Sequence, residues 1–316
     1  MKSFGQVIIY GAGAIGSYLG ARLVTPTVLV ARPDHVAAIR RDGLSISGAE
    51  TDRVADATEI DRGAKATETD RVAIAAQTIC PDLQPHSLIL IAVKLSDLEA
   101  AADDLAPRLC DDTEVAVLSN GLDPEQRLAE RFQRPVTRVI VQLGVTLDGP
   151  GAVTFWGGEL MLGPGDREDR LTSLFEQSGF TVKRTRDLQR VVWQKFAVNC
   201  IANPLSALTG RRNCDLVTPE LAGLRRLVLD EVRLLAASEG VTLADDLLER
   251  IDAMLAGSQN KTSMLQDVQR GRRTEIDYLN GLVARKAAAA GLEAPINSGL
   301  AALVELLTSY RDPTTS

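Results

Sequence analysis

The chain has 316 residues, 45% of them hydrophobic and 24% charged, which is the balance of an ordinary globular protein large enough for two domains. A net charge of −7 and a pI near 5.1, with no basic stripe interleaved with aromatics, argue against nucleic acid as a partner and favour a small molecule. No apolar stretch approaches the length of a membrane span and residues 1–5 carry no signal-peptide pattern, so the sequence predicts a cytoplasmic protein away from membranes. Four cysteines without a CxxC pair, and only two histidines, exclude a disulfide framework and a zinc site and predict no bound metal.

The first element in chain order is a short buried strand, Gln6–Tyr10 (QVIIY). It runs directly into GAGAIG, that is Gly11, Ala12, Gly13, Ala14, Ile15 and Gly16, followed by a helical stretch at residues 17–24. GxGxxG between a strand and a helix has a physical rationale: the glycines allow a tight turn, close approach to a pyrophosphate and close packing of helix on strand. The helix N-terminus offers unpaired N–H groups to the phosphates. The next strand, residues 27–31 (TVLVA), ends at Arg32, where an NAD-preferring protein usually places an acidic residue. Arginine there suits the 2′-phosphate of NADP, and a solvated surface arginine is the alternative.

Residues 48–78 break the pattern. The hexapeptide ETDRVA occurs at 50–55 and again at 68–73, with a weaker echo at 59–62, in a polar stretch that reads as an edge hairpin or loop elaboration. Strands resume at residues 88–93 (LILIAV), 115–119 (VAVLS) and 136–143, read as continuous, largely apolar runs as in parallel strands covered on both faces. Lys94 and Asn120 follow the first two of these, at strand carboxyl ends where open α/β sheets bind ligands; ordinary loop residues are the alternative.

From about residue 191 the sequence turns helical, with Thr218–Pro219 opening one helix, Gly240 and Gly257 stopping others, and Gly291 with Pro295 closing another. The expected architecture is therefore an α/β, Rossmann-type dinucleotide-binding domain over residues 1–186 followed by an all-α domain over 187–316. Helix 191–202 (VVWQKFAVNCIA) holds the main chemical signal. Lys195, Asn199 and Asn203 recur every four residues and so share an arc of about 80° on one helix face. Lys195 either snorkels from a half-exposed helix or is an ammonium held for chemistry, and asparagines at both following turns favour the second reading. Farther on, Ser263 with Gln266 matches a capping box and Thr274 with Asp277 resembles another. A helix start at Ser263 is equally a place for a carboxylate, and Glu275 is either a first-turn acid or a ligand for hydroxyl groups.

Together with the glycine loop, the blocks IAVK (91–94), SNG (119–121), WQKFAVNCIANPLSAL (193–208), SMLQD (263–267) and GRRTEIDYLNG (271–281) make the chain resemble the ketopantoate reductases over nearly its whole length. The resemblance implies an NADPH-dependent enzyme that reduces 2-dehydropantoate to pantoate on the route to coenzyme A. By motif it implies Lys195 as the catalytic lysine, Asn199 and Asn203 lining the substrate site, Glu275 holding the substrate hydroxyl and Ser263 its carboxylate. It also implies that Lys94 and Asn120 border the nicotinamide and substrate, and that Asn213 is a further substrate contact. The last match departs from the family, which often has Asn-Gly where this chain has RRNCDL. Two rivals follow: a related reductase of another 2-oxo acid or ketone, and a nonenzymatic NADP-binding protein lacking the lysine face. A homodimer is compatible with the apolar helix faces, which pack on their own domain as readily as on a second chain.

Overall fold

Residues 4–48 and 69–309 are described in the computed structural model of the chain, which divides into two units, Met1–Arg186 and Asp187–Ser316. In the first unit the order is β1 (Gln6–Tyr10), α1 (Ala14–Arg22), β2 (Thr27–Val30), α2 (Pro33–Asp42), β3 (Leu44–Gly48), β4 (Thr69–Val72), β5 (Ala75–Gln77), β6 (Ser87–Ile91), α3 (Leu98–Leu105), β7 (Glu114–Val117), α4 (Pro124–Phe132), β8 (Thr137–Arg138), β9 (Ile140–Gly149), β10 (Ala152–Leu162), α5 (Asp166–Gln177) and β11 (Val182–Arg184).

Six strands form a parallel sheet in the order β5-β2-β1-β6-β7-β8, with Ile8 of β1 opposite Val28 on one side and Ile89 on the other. The chain leaves β1 for β2 in one direction and later continues from β6 to β7 in the other, so the switch point lies between β1 and β6, at whose carboxyl ends ligands bind in such sheets. Every residue of β6 is buried, which is why its sequence is apolar without alternation.

A second sheet, β11-β10-β3-β4 with β9 on β10, was not legible in the sequence. The stretch 136–143, expected as one parallel strand, is two. Thr137 and Arg138 end the parallel sheet; from Ile140 the chain pairs antiparallel with β10 instead, turning back at Pro150 and Gly151. This sheet and the parallel sheet bury α1 between them: Tyr18 stacks on Phe155 at 4.3 Å and meets Phe180 edge-on at 6.0 Å. The first ETDRVA copy and its echo lie outside the described residues, whereas the second contributes Thr69–Val72, which pairs antiparallel with β3 at the sheet edge.

The second unit contains α6 (Leu188–Thr209), α7 (Pro219–Ser238), α8 (Leu247–Ala256), α9 (Ser263–Gln269), α10 (Asn280–Ala289) and α11 (Pro295–Ser309). Pro295 opens α11 rather than closing α10, because its fixed φ and missing N–H suit a first helical position. Among the described residues no helix is long and apolar enough to cross a membrane.

α6 packs against α7, α9 and α11 and continues through Pro204. Proline has no N–H, so the carbonyl four residues earlier, that of Cys200, loses its intrahelical donor. The fully buried Asn280 replaces it, donating Nδ2 to the Cys200 carbonyl at 2.9 Å and to Asn297 Oδ1 at 2.8 Å. Asn297 in turn donates to Glu231 Oε2 at 2.7 Å, and the Glu231 carboxylate accepts the Ile296 and Asn297 N–H groups at the start of α11, each at 2.8 Å. One polar chain thus ties α6, α7, α10 and α11 together. Asn280→Ala should cost about 1–3 kcal/mol in urea unfolding. Pro204→Ala added to it should restore part of that loss by giving Cys200 an N–H within its own helix; no recovery would show that the vacated carbonyl is not what Asn280 serves.

Candidate active site

The glycine loop sits at the end of β1, held by the Gly11 and Ala12 N–H groups donating to the Val30 carbonyl at 3.0 and 2.9 Å. Gly11 adopts φ +90°, and a Cβ there would lie 2.5 Å from Val93 Cγ1 and 2.8 Å from the Val93 amide, so only glycine lets the loop lie against the end of β6. Gly16 packs its bare Cα against Ile9. Gly13 is different: a Cβ there would meet nothing within 4 Å. That open space fronts the first turn of α1, residues Ala14, Ile15 and Gly16, which no side chain caps. Unpaired N–H groups at a helix start beside room for a backbone-hugging anion fit a dinucleotide pyrophosphate.

Arg32 is exposed at the N-cap of α2, two residues past the tip of β2, with its carbonyl accepting from the Val36 N–H at 3.0 Å. It follows on from the strand that carries the loop's Val30 anchor. Lys94 and Asn120 are half-buried beyond β6 and β7. The two segments are joined by Ser119, a contact the sequence reading did not single out, whose hydroxyl donates to the Val93 carbonyl at 2.6 Å. The turn after Asn120 is fixed by Arg138, also missed: buried at the end of β8, it donates to the Gly121 carbonyl at 3.1 Å and pairs with Glu125 at 3.1 Å. Burial pulls the Arg138 pKa down while the Glu125 carboxylate opposes the shift. A lone arginine inside the apolar run TRVIVQL was the available signal.

In the second unit Asp187 caps α6 by accepting the Arg190 N–H at 3.0 Å. Lys195 and Asn199 are half-buried on the helix face that also carries the buried Asn203. Asn203 Oδ1 accepts from the Met264 N–H at 3.3 Å and the Ser263 hydroxyl at 3.4 Å, so this asparagine brings α9's first turn onto α6. The expected capping box is displaced by one residue. Thr262, not Ser263, is the N-cap, its hydroxyl accepting from the Leu265 N–H at 3.1 Å, which leaves the Ser263 hydroxyl to reach Asn203. Thr274 caps no helix either: it is buried, and a single turn of 3₁₀ helix begins after the half-buried Glu275, whose carbonyl accepts from Tyr278. Asn213 donates Nδ2 to Ser258 Oγ at 3.1 Å and its amide to the Asn260 carbonyl at 3.0 Å, which docks the RRNCDL loop on the segment leading into α9.

The fold and the glycine loop define the class: a Rossmann-type dinucleotide-binding protein with a helical C-terminal domain. Two family models match, "Ketopantoate reductase PanE/ApbA" over residues 7–167 and "Ketopantoate reductase PanE/ApbA C terminal" over residues 187–308. A 2-dehydropantoate 2-reductase of Mesorhizobium japonicum is 30% identical, the alignment covering 97% of this chain and 98% of that one. A crystal structure of a PanE/ApbA family ketopantoate reductase from Ralstonia eutropha superposes with a TM-score of 0.83 at 31% identity, covering 96% and 98% of the two chains. D-mandelate dehydrogenase, in a structure with NADH and anilino(oxo)acetate, shares the fold with a TM-score of 0.82 at 23% identity over 96% and 98%. The chain belongs to the ketopantoate reductase family.

The open space at Gly13 gives a clean test of the loop. Gly13→Ala meets no protein atom, so stability should stay within about 0.5 kcal/mol of the parent. Affinity for a nicotinamide dinucleotide should fall about tenfold or more, because the methyl takes space a pyrophosphate needs. Calorimetric titration with a thermal melt separates the two effects, and unchanged affinity would remove the loop from the cofactor site.

Proposed function

We propose that the chain reduces 2-dehydropantoate to pantoate with NADPH, as a cytoplasmic step toward pantothenate and coenzyme A. The observation that carries this is the α6 face: Lys195, Asn199 and Asn203 stand on one helix side, and Asn203 holds Ser263 at 3.4 Å, within a chain that matches the family in both halves. All four cysteines are free thiols, in keeping with a reducing compartment.

A bound NADPH supplies the hydride to the 2-oxo carbon. As the carbonyl carbon is reduced, charge grows on its oxygen, and the Lys195 ammonium gives that oxygen a proton, the amine being reprotonated from solvent. Ser263 takes the substrate carboxylate, Glu275 takes its hydroxyl, and Asn199, Asn203 and Asn213 position it. Lys94 and Asn120 would border the nicotinamide, and the Arg32 guanidinium would pair with the 2′-phosphate. A second reading, reduction of a different 2-oxo acid, draws support from Asn213, whose side-chain N–H is engaged by Ser258 in a loop that lacks the family's Asn-Gly.

Lys195→Ala should lower kcat by about two orders of magnitude or more while NADPH still binds. Arg32→Ala should raise KM for NADPH about tenfold and leave NADH nearly unaffected. Steady-state nicotinamide absorbance with ketopantoate, beside a panel of other 2-oxo acids, reads both. Near-normal turnover of the lysine variant would refute its role, and turnover of another panel member alone would move the substrate to the second reading.

A further inference from the structure

His35 is buried in α2 with both ring nitrogens engaged. The Gly151 N–H donates to Nδ1 at 2.9 Å, so a neutral ring carries its proton on Nε2. Nε2 lies 2.9 Å from Ser17 Oγ, a fully buried hydroxyl. With Nε2 donating, the hydroxyl gives its own proton to the Ala12 carbonyl, 3.3 Å away. Every donor points the same way: from the turn between β9 and β10, through the imidazole and the serine, to the middle of the glycine loop. The Ser17 amide is also bound to the loop, at the Gly13 carbonyl, 3.0 Å.

The Ala12–Gly13 peptide is where the loop turns tightest, its N–H donating to the Gly11 carbonyl at 2.7 Å. A carbonyl engaged by Ser17 is not free to turn its negative oxygen toward an incoming phosphate. We infer that His35 and Ser17 are positioning residues for the dinucleotide loop, holding the Ala12–Gly13 peptide in the orientation that accepts a pyrophosphate. The inference rests on the dinucleotide-binding reading of that loop.

The relay is sensitive to protonation. A second proton would place an N–H on Nδ1 facing the Gly151 N–H, donor against donor. Burial pushes the His35 pKa below its ordinary value, with the Asp34 carboxylate on the same helix pulling it back; α1 presents the uncharged Ser17 and the β9–β10 turn a backbone amide. Since the folded protein favours the neutral ring, the relay is complete above about pH 6.5, the unperturbed value, and is lost as pH falls through the lower folded value.

The test measures NADPH and NADH dissociation constants by fluorescence titration of the full chain from about pH 7.5 down to about pH 5.5. The parent is compared with His35→Leu, Ser17→Ala and His35→Gln. The leucine and alanine variants should bind about tenfold more weakly at neutral pH. His35→Gln keeps an uncharged N–H near Nε2 but cannot titrate, so it should retain most of the affinity and lose the acid-side decline. The ratio of its profile to that of the parent cancels the titration of the cofactor's own phosphate. Should His35→Leu fail to fold, the other two variants decide. Affinities all within twofold of the parent, with parallel pH profiles, would overturn the positioning role. A parent that binds neither dinucleotide would overturn the cofactor reading and this inference with it.

Discussion

The second unit is organised around a hydrogen bond that α6 cannot make for itself. Pro204 removes the donor for the Cys200 carbonyl, and in a buried helix an unmet carbonyl is as costly as a lost bond. Asn280 meets it from eighty positions along the chain. Once Asn280 is fixed, Asn297 and Glu231 follow, and the first turn of α11 is pinned by the same carboxylate that ends the chain of contacts. The helices therefore arrive in fixed register around α6, and Asn203, next to the proline, is held where it meets the start of α9. One strip of α6 carries both kinds of polar residue: Lys195 and Asn199 are half-buried, while Asn203, one turn on and beside Pro204, is buried and bonded to the start of α9.

Patterns of this regular kind are what the sequence disclosed. The parallel sheet was readable because β1, β6 and β7 are apolar runs, and the glycine loop because turn, close approach and helix start each demand glycine at fixed spacing. The face of α6 was readable because polar residues at fourfold spacing stand out against Trp193, Phe196 and Ile201. By contrast, the second sheet stayed hidden: β9 carries Gln142, Gly144 and Gly149 among its apolar residues, and its partner β10 contains two adjacent glycines, so neither gives a clean period. The cap at Thr262 was misplaced by one residue because threonine and serine in succession offer the same chemistry, and only the hydroxyl geometry selects between them; beyond Thr274 a single 3₁₀ turn starts after Glu275 with no side-chain cap.

The second class of hidden residues is polar and buried. Arg138, Asn280, Asn297 and His35 do not announce partners in the sequence, since each meets a backbone group or side chain brought near only by the fold. Such groups are retained when every bond is made and are costly when one is broken, so they set loop conformations more stiffly than apolar contacts do. In the first unit this applies on both sides of the switch point: Ser119 and Arg138 fix the segments after β6 and β7, while Ser17 and His35 fix the loop after β1.

Pro204 also has a bearing on the order in which the chain assembles. An ordinary helix can close its hydrogen bonds as soon as its own residues are linked together, but α6 contains a gap filled only by a side chain from α10. The C-terminal turns of α6 therefore gain full protection only after a contact of long sequence separation has formed, which places their consolidation late in folding. Amides on either side of the proline would belong to one cooperative unit with α10 and α11, although α7, α8 and α9 lie between them in the chain. The helix that bears the lysine is in this sense completed by the far end of its own domain, and a ribosome releasing residues 188–209 has not yet made the residue that finishes it.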